Sequence, residues 1–179
     1  MTDSSSYTLQ SPWKNAEYVL YRGKRKADSR HVLVVAPLSE KPAEGTLRRL
    51  EHEYELRTNL DPAWAVLPLA LIRDSGRIML VLEDLGGEPL DRVLEDRVEL
   101  RQLLRIAIGL TAALGRLHER GLIHKDVKPA NVIVDRTSGK VWLTGFGIAS
   151  ALPRERQAPE PPETIAGTLA YMRPNRLGV

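Results

Sequence analysis

The sequence of 179 residues contains no cysteine, which excludes disulfides and thiolate metal sites. Its four histidines are scattered along the chain, so a zinc cluster is disfavoured. It has no uninterrupted apolar run of about 18 residues, which a membrane-spanning helix needs. The opening MTDSSSYTLQ lacks the basic and then apolar order of a signal peptide. These absences disfavour redox chemistry and membrane insertion, and they predict a cytoplasmic protein.

The charge of the chain is mixed rather than one-sided. There are 26 Lys and Arg residues against 23 Asp and Glu residues, which gives a net charge of +3. Interspersed charges of both signs indicate a solvated surface rather than the basic stripe typical of nucleic-acid binding. We therefore expect no nucleic-acid partner. The 42% of hydrophobic residues are enough for the core of a globular domain.

The first half of the chain has the pattern of a small sheet with one helix. Three short apolar runs have the length and composition of strands: residues 18–21, 32–36 and 78–82. A polar turn at 26–30 joins the first two runs into a hairpin. Thr46 is positioned to cap a helix that runs to about Arg57 and carries Glu53.

The second half contains the strongest helix signal of the chain. Seven apolar residues recur at helical spacing and predict one packed face: Leu100, Leu103, Leu104, Ala107, Leu110, Leu114 and Leu117. Gly121 then provides a C-terminal stop. Two short strands at 131–134 and 141–144 flank a turn with Ser138 and Gly139. Beyond Ser150 the chain is rich in Pro and charge and predicts a long exposed segment.

The loop between that helix and the second hairpin reads LIHKDVKPANVIVD. Its His124-Lys125-Asp126, Lys128-Pro129 and Asn131 resemble the catalytic loop of protein kinases, H-R-D-x-K-P-x-N. Two later segments resemble kinase motifs as well: Thr144–Gly147 at the place of D-F-G, and Gly167–Met172 as G-T-x-x-Y-M. Lysine followed by proline is similar to the serine/threonine branch. An ordinary polar turn, in which these side chains bond backbone amides, is the simpler alternative.

The resemblance implies an α+β, bilobal fold, with a small antiparallel sheet lobe carrying one helix and an incomplete, mainly helical C-lobe. It implies transfer of phosphate from ATP to protein hydroxyls. Asp126 would be the base, Lys128 the phosphate contact and Asn131 the Mg²⁺ ligand. His124 would pack against Phe146.

Further positions are implied for the nucleotide. Leu20 and Leu33 above and Ile133 below match residues that sandwich adenine, and the backbone of Glu83 to Leu85 matches the hinge that bonds the ring. Glu53 falls at the place of the C-helix glutamate. Each apolar residue is equally explained as core.

The domain layout that follows from the resemblance has four parts: a disordered tail at 1–12, an N-lobe at 13–84, a partial C-lobe with the catalytic loop at 85–150, and an activation-segment-like tail at 151–179. Arg173-Pro174-Asn175 takes the place of A-P-E. Further C-lobe helices would be missing, so we expect exposed apolar surface between Leu100 and Leu117.

Several departures from the family fall on charged positions. Val35 stands where the ATP-binding lysine belongs, and Gly145 replaces the D-F-G aspartate, which makes Mg²⁺ binding doubtful. Residues 13–18 contain no glycine for a phosphate-covering loop. Whether the basic run Lys24–Lys26 replaces the missing lysine, or is only a solvated face, stays open.

Three hypotheses follow. The chain is a serine/threonine protein kinase with weakened activity, a pseudokinase that binds nucleotide or partners, or a small-molecule phosphotransferase with a kinase-like fold. It is similar to the N-terminal kinase module of large bacterial proteins that also contain an ATPase-like region and a sensor histidine kinase. The implied partners are ATP and either a protein substrate or downstream signalling domains.

Overall fold

The computed structural model describes residues 6–14, 17–74, 76–151 and 171. The chain divides into two compact units, Met1–Gly87 and Glu88–Val179. The division falls three residues after the predicted end of the N-lobe at residue 84. The activation-segment-like tail lies outside the described residues, apart from Ala151 and Tyr171.

The first unit is built on an antiparallel sheet with the strand order β1-β2-β3-β5-β4. Its five strands are β1 (Tyr7–Lys14), β2 (Tyr18–Arg25), β3 (His31–Pro37), β4 (Pro68–Asp74) and β5 (Arg77–Glu83). The predicted hairpin is confirmed, because β2 pairs with β3 in a register that places Tyr21 opposite Val34. The predicted buried strand is β5, whose Val81 lies opposite Val34.

The first strand was not predicted. Residues 1–12 were expected to be a disordered tail, but Tyr7–Lys14 pairs with β2. This strand lies at the edge of the sheet, where Pro12 is tolerated because one side of an edge strand needs no ladder hydrogen bonds. A Cβ on Gly23 would lie 2.5 Å from the Thr8 carbonyl oxygen, so a glycine in β2 allows the close approach.

The helix of the first unit is α1 (Glu44–Glu55), and a short 3₁₀ helix follows at Leu56–Thr58. The sequence predicted Thr46 as the N-cap, but the cap position is Ala43, three residues earlier, with no side-chain cap bond. Thr46 is instead buried, and its hydroxyl donates to Glu17 Oε1 at 3.1 Å. The helix buries Leu50 and Glu53 and packs on β4 and β5.

Within residues 88–151, the second unit contains the helices α2 (Leu90–Val93) and α3 (Leu100–Glu119) and five short strands. These strands are β6 (Glu88–Pro89), β7 (Leu122–Ile123), β8 (Val132–Val134), β9 (Val141–Leu143) and β10 (Ser150–Ala151). They form a three-stranded sheet, β6-β8-β9, and a two-stranded sheet, β7-β10. The predicted second hairpin is confirmed as β8 and β9, with Ile133 opposite Trp142.

Helix α3 ends where the sequence predicted. Gly121 has φ +73°, and its N–H donates to the His118 carbonyl oxygen at 2.8 Å. The helix packs closely on β9 at Gly109, where a Cβ would lie 2.9 Å from Val141 Cγ2. This glycine therefore sets the separation between the helix and the strand.

The packed face of α3 differs from the predicted one. The buried residues of this helix are Ile106, Ala113 and Leu117, and only Leu117 belongs to the predicted face. Leu100, Leu103, Leu104 and Ala107 are exposed, and so is Ile108, with 70% of its surface accessible. The two faces differ because α3 is apolar on two sides, and periodicity alone does not show which side is packed against the rest of the unit. The expected exposed apolar surface is present on the part of the chain that the structure describes.

The α+β composition with an antiparallel sheet is as predicted. Within the described ranges, no helix combines the length and hydropathy that crossing a lipid bilayer requires.

Candidate active site

The candidate site is the loop between β7 and β8. Lys125 has φ 67°, a left-handed conformation that is uncommon for residues other than glycine and that turns the chain sharply. Pro129 begins a short 3₁₀ helix, Pro129–Asn131, which is closed by the Asn131 N–H donating to the Lys128 carbonyl oxygen at 2.9 Å. The loop is thus shaped by local bonds before any tertiary contact is considered.

The structure brings the three predicted catalytic-loop side chains together. Lys128 Nζ lies 2.8 Å from Asp126 Oδ2. Asn131 Nδ2 donates to the same oxygen at 2.9 Å and to the Asp126 backbone carbonyl at 2.8 Å. Asp126 is therefore held by a cation and an amide at once, and all three side chains are partly buried. Their roles in catalysis stay predictions.

The buried side chain of His124 is hydrogen-bonded to the backbone of this loop. It is 1% exposed, and burial lowers the pKa of its imidazole below the ordinary value. The ring lies between two backbone groups: Nε2 is 2.9 Å from the Thr144 carbonyl oxygen, and Nδ1 accepts from the Asp126 N–H at 3.3 Å. A neutral ring with its proton on Nε2 satisfies both bonds. The expected packing on Phe146 is present, with the ring centroids 4.8 Å apart.

The segment at Thr144–Gly147 is joined to the catalytic loop through its backbone. The Thr144 N–H donates to the Asn131 carbonyl oxygen at 3.0 Å, in addition to the bond from His124. Gly145 follows with φ +77°, and its Cα faces the Asn131 carboxamide. Gly145, which the resemblance places at the D-F-G aspartate, therefore lies against the catalytic loop.

The side chains at this place do not fit a magnesium site. Mg²⁺ prefers near-octahedral oxygen ligands that include carboxylates. Gly145 supplies no side-chain oxygen, and Asn131 turns its Nδ2 group towards Asp126. Among the residues with described positions, no three His, Cys, Asp or Glu side chains are arranged to hold a metal ion. The prediction that Asn131 is a metal ligand stays untested, and this geometry does not favour it.

The residues predicted to contact the nucleotide are distributed over both units. In the first unit, Leu33 is buried in β3, and Leu20 is half-buried in β2 opposite Val35. In the second unit, Ile133 is buried in β8. Val35 lies in β3, the strand in which the resemblance places the ATP-binding lysine. This strand position therefore carries no cation.

The predicted hinge lies at the end of the first unit. The Glu83 N–H donates to the Leu67 carbonyl oxygen at 2.9 Å, and the Glu83 carboxylate pairs with Arg30. Leu85 lies outside the strands. The role of the backbone of Glu83 to Leu85 as a nucleotide hinge stays a prediction.

Glu53 is buried in the first unit at 5% exposure, close to Tyr18 of β2. Burial, with the Glu17 and Glu53 carboxylates adding to it, raises the pKa of the Tyr18 phenol to about 12. Arg49 opposes these carboxylates and donates to Glu17 at 2.9 Å. Tyr18 and Arg49 are not among the site residues predicted from the sequence, although Arg49 lies one helical turn before Glu53 on the same side of α1.

The basic run at Lys24–Lys26 does not replace the missing lysine in this structure. Lys24 is opposite His31, at the far end of β2 from Tyr18, and six residues of strand span about 20 Å. Lys24 and Lys26 are exposed, and Arg25 pairs with Asp28 in the adjoining turn. This run is therefore the solvated face that was the alternative interpretation.

Comparison with known proteins finds sequence similarity over most of the chain. The family model described as protein kinase domain matches residues 19–179. The chain is 29% identical over 157 residues to CBL-interacting protein kinase 16 of Oryza sativa subsp. japonica, which covers 87% of this chain. It is 39% identical over 101 residues to the serine/threonine-protein kinase PknA of Mycobacterium tuberculosis, which covers 54% of this chain. The chain spans 34% and 22% of the length of these two relatives.

Proposed function

Since the chain belongs to the protein kinase domain family, we propose that it binds ATP and transfers the γ-phosphoryl group to serine or threonine hydroxyls, with low activity. The observation that carries this proposal is the convergence of Asp126, Lys128 and Asn131 in one partly buried loop. The match to relatives named serine/threonine-protein kinases supports the choice of hydroxyl. An ATP-dependent reaction also fits the cytoplasmic location expected from the sequence.

The proposed step uses Asp126 as the base. The hydroxyl oxygen forms a bond to the γ-phosphorus as its proton moves to the Asp126 carboxylate, the bond to the β,γ-bridging oxygen breaks, and ADP leaves. Lys128 Nζ lies 2.8 Å from Asp126 Oδ2. From that place it would offset the charge that develops on the phosphoryl group, and it would orient the carboxylate towards the acceptor hydroxyl.

Nucleotide contacts that need no charge complete the proposal. The nucleotide contacts that the family resemblance implies are Leu20, Leu33 and the backbone of Glu83 to Leu85 in the first unit, and Ile133 in the second. Protein kinase domains in general use ATP with a divalent metal ion, but the glycine at position 145 of this chain supplies no carboxylate for such an ion.

The activity should be low for an electrostatic reason. Val35 removes one cation from the phosphates, and Gly145 removes one carboxylate from the metal. Losing two such groups costs several kcal/mol of transition-state stabilisation, or roughly 10³-fold in rate.

The test combines binding and turnover. A thermal-shift titration with ATP, with and without Mg²⁺, should raise the melting temperature of the full chain. A slow incorporation of labelled phosphate, lost in Asp126→Asn, would support the proposal. Binding without any incorporation above that of Asp126→Asn would contradict the transfer step.

A second candidate function is a regulatory module that binds nucleotide without transferring phosphate. The observation that favours it is Gly145, whose missing side chain leaves the catalytic loop without the second acidic group. Its partners would be downstream signalling domains of a multidomain bacterial protein. ATP binding with no turnover, together with an ATP-dependent change in the affinity of such a domain, would favour this candidate over the enzyme.

A further inference from the structure

Gly145 and Asn131 contact each other more closely than an ordinary side chain would allow. A Cβ built on Gly145 would lie 2.7 Å from both Asn131 Cγ and Asn131 Oδ1, and 2.9 Å from Asn131 Nδ2. These separations are well below van der Waals contact between such atoms. The Asn131 carboxamide therefore occupies the space that any side chain at position 145 would need.

Asn131 is not free to move away from this place. Its Nδ2 group makes two hydrogen bonds to Asp126, one to the backbone oxygen and one to Oδ2. Its backbone is held as well, because its N–H donates to Lys128 and its carbonyl accepts from Thr144. Turning the carboxamide aside would break both bonds to Asp126.

We propose that Gly145 and Asn131 form a steric pair, in which the absence of a side chain at position 145 lets Asn131 hold Asp126 in place. Asn131 is then a positioning residue for the base rather than a metal ligand. The glycine is a requirement of this arrangement, so restoring a carboxylate at position 145 alone does not restore a metal site. This consequence for Asn131 rests on the proposed function, whereas the steric pair itself does not.

The chain offers a matched control for the glycine. Gly121 lies in the same unit and has φ +73°, almost the value of Gly145, but a Cβ on it would meet nothing within 4 Å. Gly121→Ala therefore reports the cost of placing a side chain in the left-handed region. Gly145→Ala reports that cost plus the contact with Asn131.

The first experiment is a double-mutant cycle on the full chain, followed by urea unfolding. We expect Gly145→Ala to lower the folding equilibrium constant about tenfold more than Gly121→Ala, because a hydrogen-bonded amide must move. In an Asn131→Ala background that excess should disappear. Equal losses for the two glycine variants, or an excess that persists in the Asn131→Ala background, would overturn the steric pair.

The cycle also decides the matter if Gly145→Ala fails to fold. In that case a folded Asn131→Ala/Gly145→Ala double variant supports the pair, because removing the amide has relieved the clash. A double variant that is also unfolded, while Gly121→Ala and Asn131→Ala each fold, overturns it.

The second experiment separates positioning from metal binding. The dissociation constant of ATP is measured with Mg²⁺ and with EDTA, for the wild-type chain and for Asn131→Ala. A positioning role predicts the same ratio of the two constants in both proteins. A ratio that falls to one only in Asn131→Ala would show that Asn131 binds the metal, and would overturn the positioning role. If the wild-type chain binds no ATP, the proposed function fails, and the unfolding cycle still decides the steric pair.

Discussion

Arg22 of β2 holds the buried carboxylate of Asp84, just beyond the end of β5. Its Nε donates to Oδ2 at 2.8 Å and its terminal nitrogen to Oδ1 at 3.2 Å, while only 4% of the Asp84 side chain is exposed. The same guanidinium lies 5.3 Å from the centre of the Trp13 ring. One side chain therefore connects the edge of the sheet to the segment predicted to bind adenine.

Arg22→Ala should destabilise the protein by about 2 kcal/mol, because it leaves a buried carboxylate without its charged partner. Arg22→Lys should restore little of this loss, since an ammonium group does not reproduce the two-nitrogen contact. Urea unfolding measures both. The matched control is Arg48→Ala, which breaks an exposed pair with Glu44 and should cost no more than about 0.5 kcal/mol. Equal losses for Arg22→Ala and Arg48→Ala would contradict the prediction.

Stability should fall on mild acidification because of His124. Burial lowers the pKa of this imidazole in the folded state, so the unfolded chain binds the extra proton more readily below its ordinary value of 6.5. The contribution of neutral His124 to the free energy of unfolding is therefore present above pH 6.5, and it is lost as the pH falls towards the folded-state pKa. The melting temperature, followed from about pH 7.5 to about pH 5.5, measures the effect. His124→Gln should show a shallower decline, whereas the exposed His118→Gln should retain the wild-type slope.

Tyr18 should govern stability at the alkaline end. Its folded-state pKa of about 12 exceeds the ordinary pKa of 10.0 for a tyrosine, so the unfolded chain loses this proton first. The contribution of the protonated Tyr18 phenol to the free energy of unfolding is complete below pH 10, and it declines as the pH rises towards 12. Tyr18→Phe should flatten the decline in that window, as measured by urea unfolding at a series of pH values. A Tyr21→Phe variant serves as the comparison, and an unchanged alkaline slope in Tyr18→Phe would show the prediction to be wrong.

The exposed apolar side of α3 should cause self-association of the chain. Leu100, Leu104 and Ile108 lie one turn apart on the helix, and Leu100 is 71% exposed. Leu104→Glu combined with Ile108→Glu should lower the concentration-dependent mass seen by analytical ultracentrifugation and leave the melting temperature nearly unchanged. Leu117→Ala, on the buried side, should instead cost about 3 kcal/mol. A wild-type chain that stays monomeric at every concentration would rule this out.

The catalytic loop could be predicted from the sequence because its information is local. Asp126, Lys128 and Asn131 lie within six residues, and the bonds that bring them together are made inside the same loop. The packing of His124 on Phe146 required only the family pattern in addition. Because these residues are close in sequence, both their identity and their mutual contacts could be predicted.

The remaining features depend on distant contacts, which a single sequence does not display. Strand β1 is an edge strand with weak alternation, and its pairing depends on Gly23 in the next strand. Thr46 has the side chain of a cap residue, but its partner Glu17 precedes it by 29 positions. The packed side of α3 depends on Val141, far along the chain. In each case tertiary contact overrode a local preference.

The bonds made by Thr144 also bear on how the chain tolerates mutation. Both connections from this residue to the catalytic loop use peptide atoms, the N–H to Asn131 and the carbonyl to His124. Every amino acid except proline supplies the same two groups. Substitutions at position 144 during evolution can therefore change the side chain beside the catalytic loop while both backbone hydrogen bonds to that loop are kept.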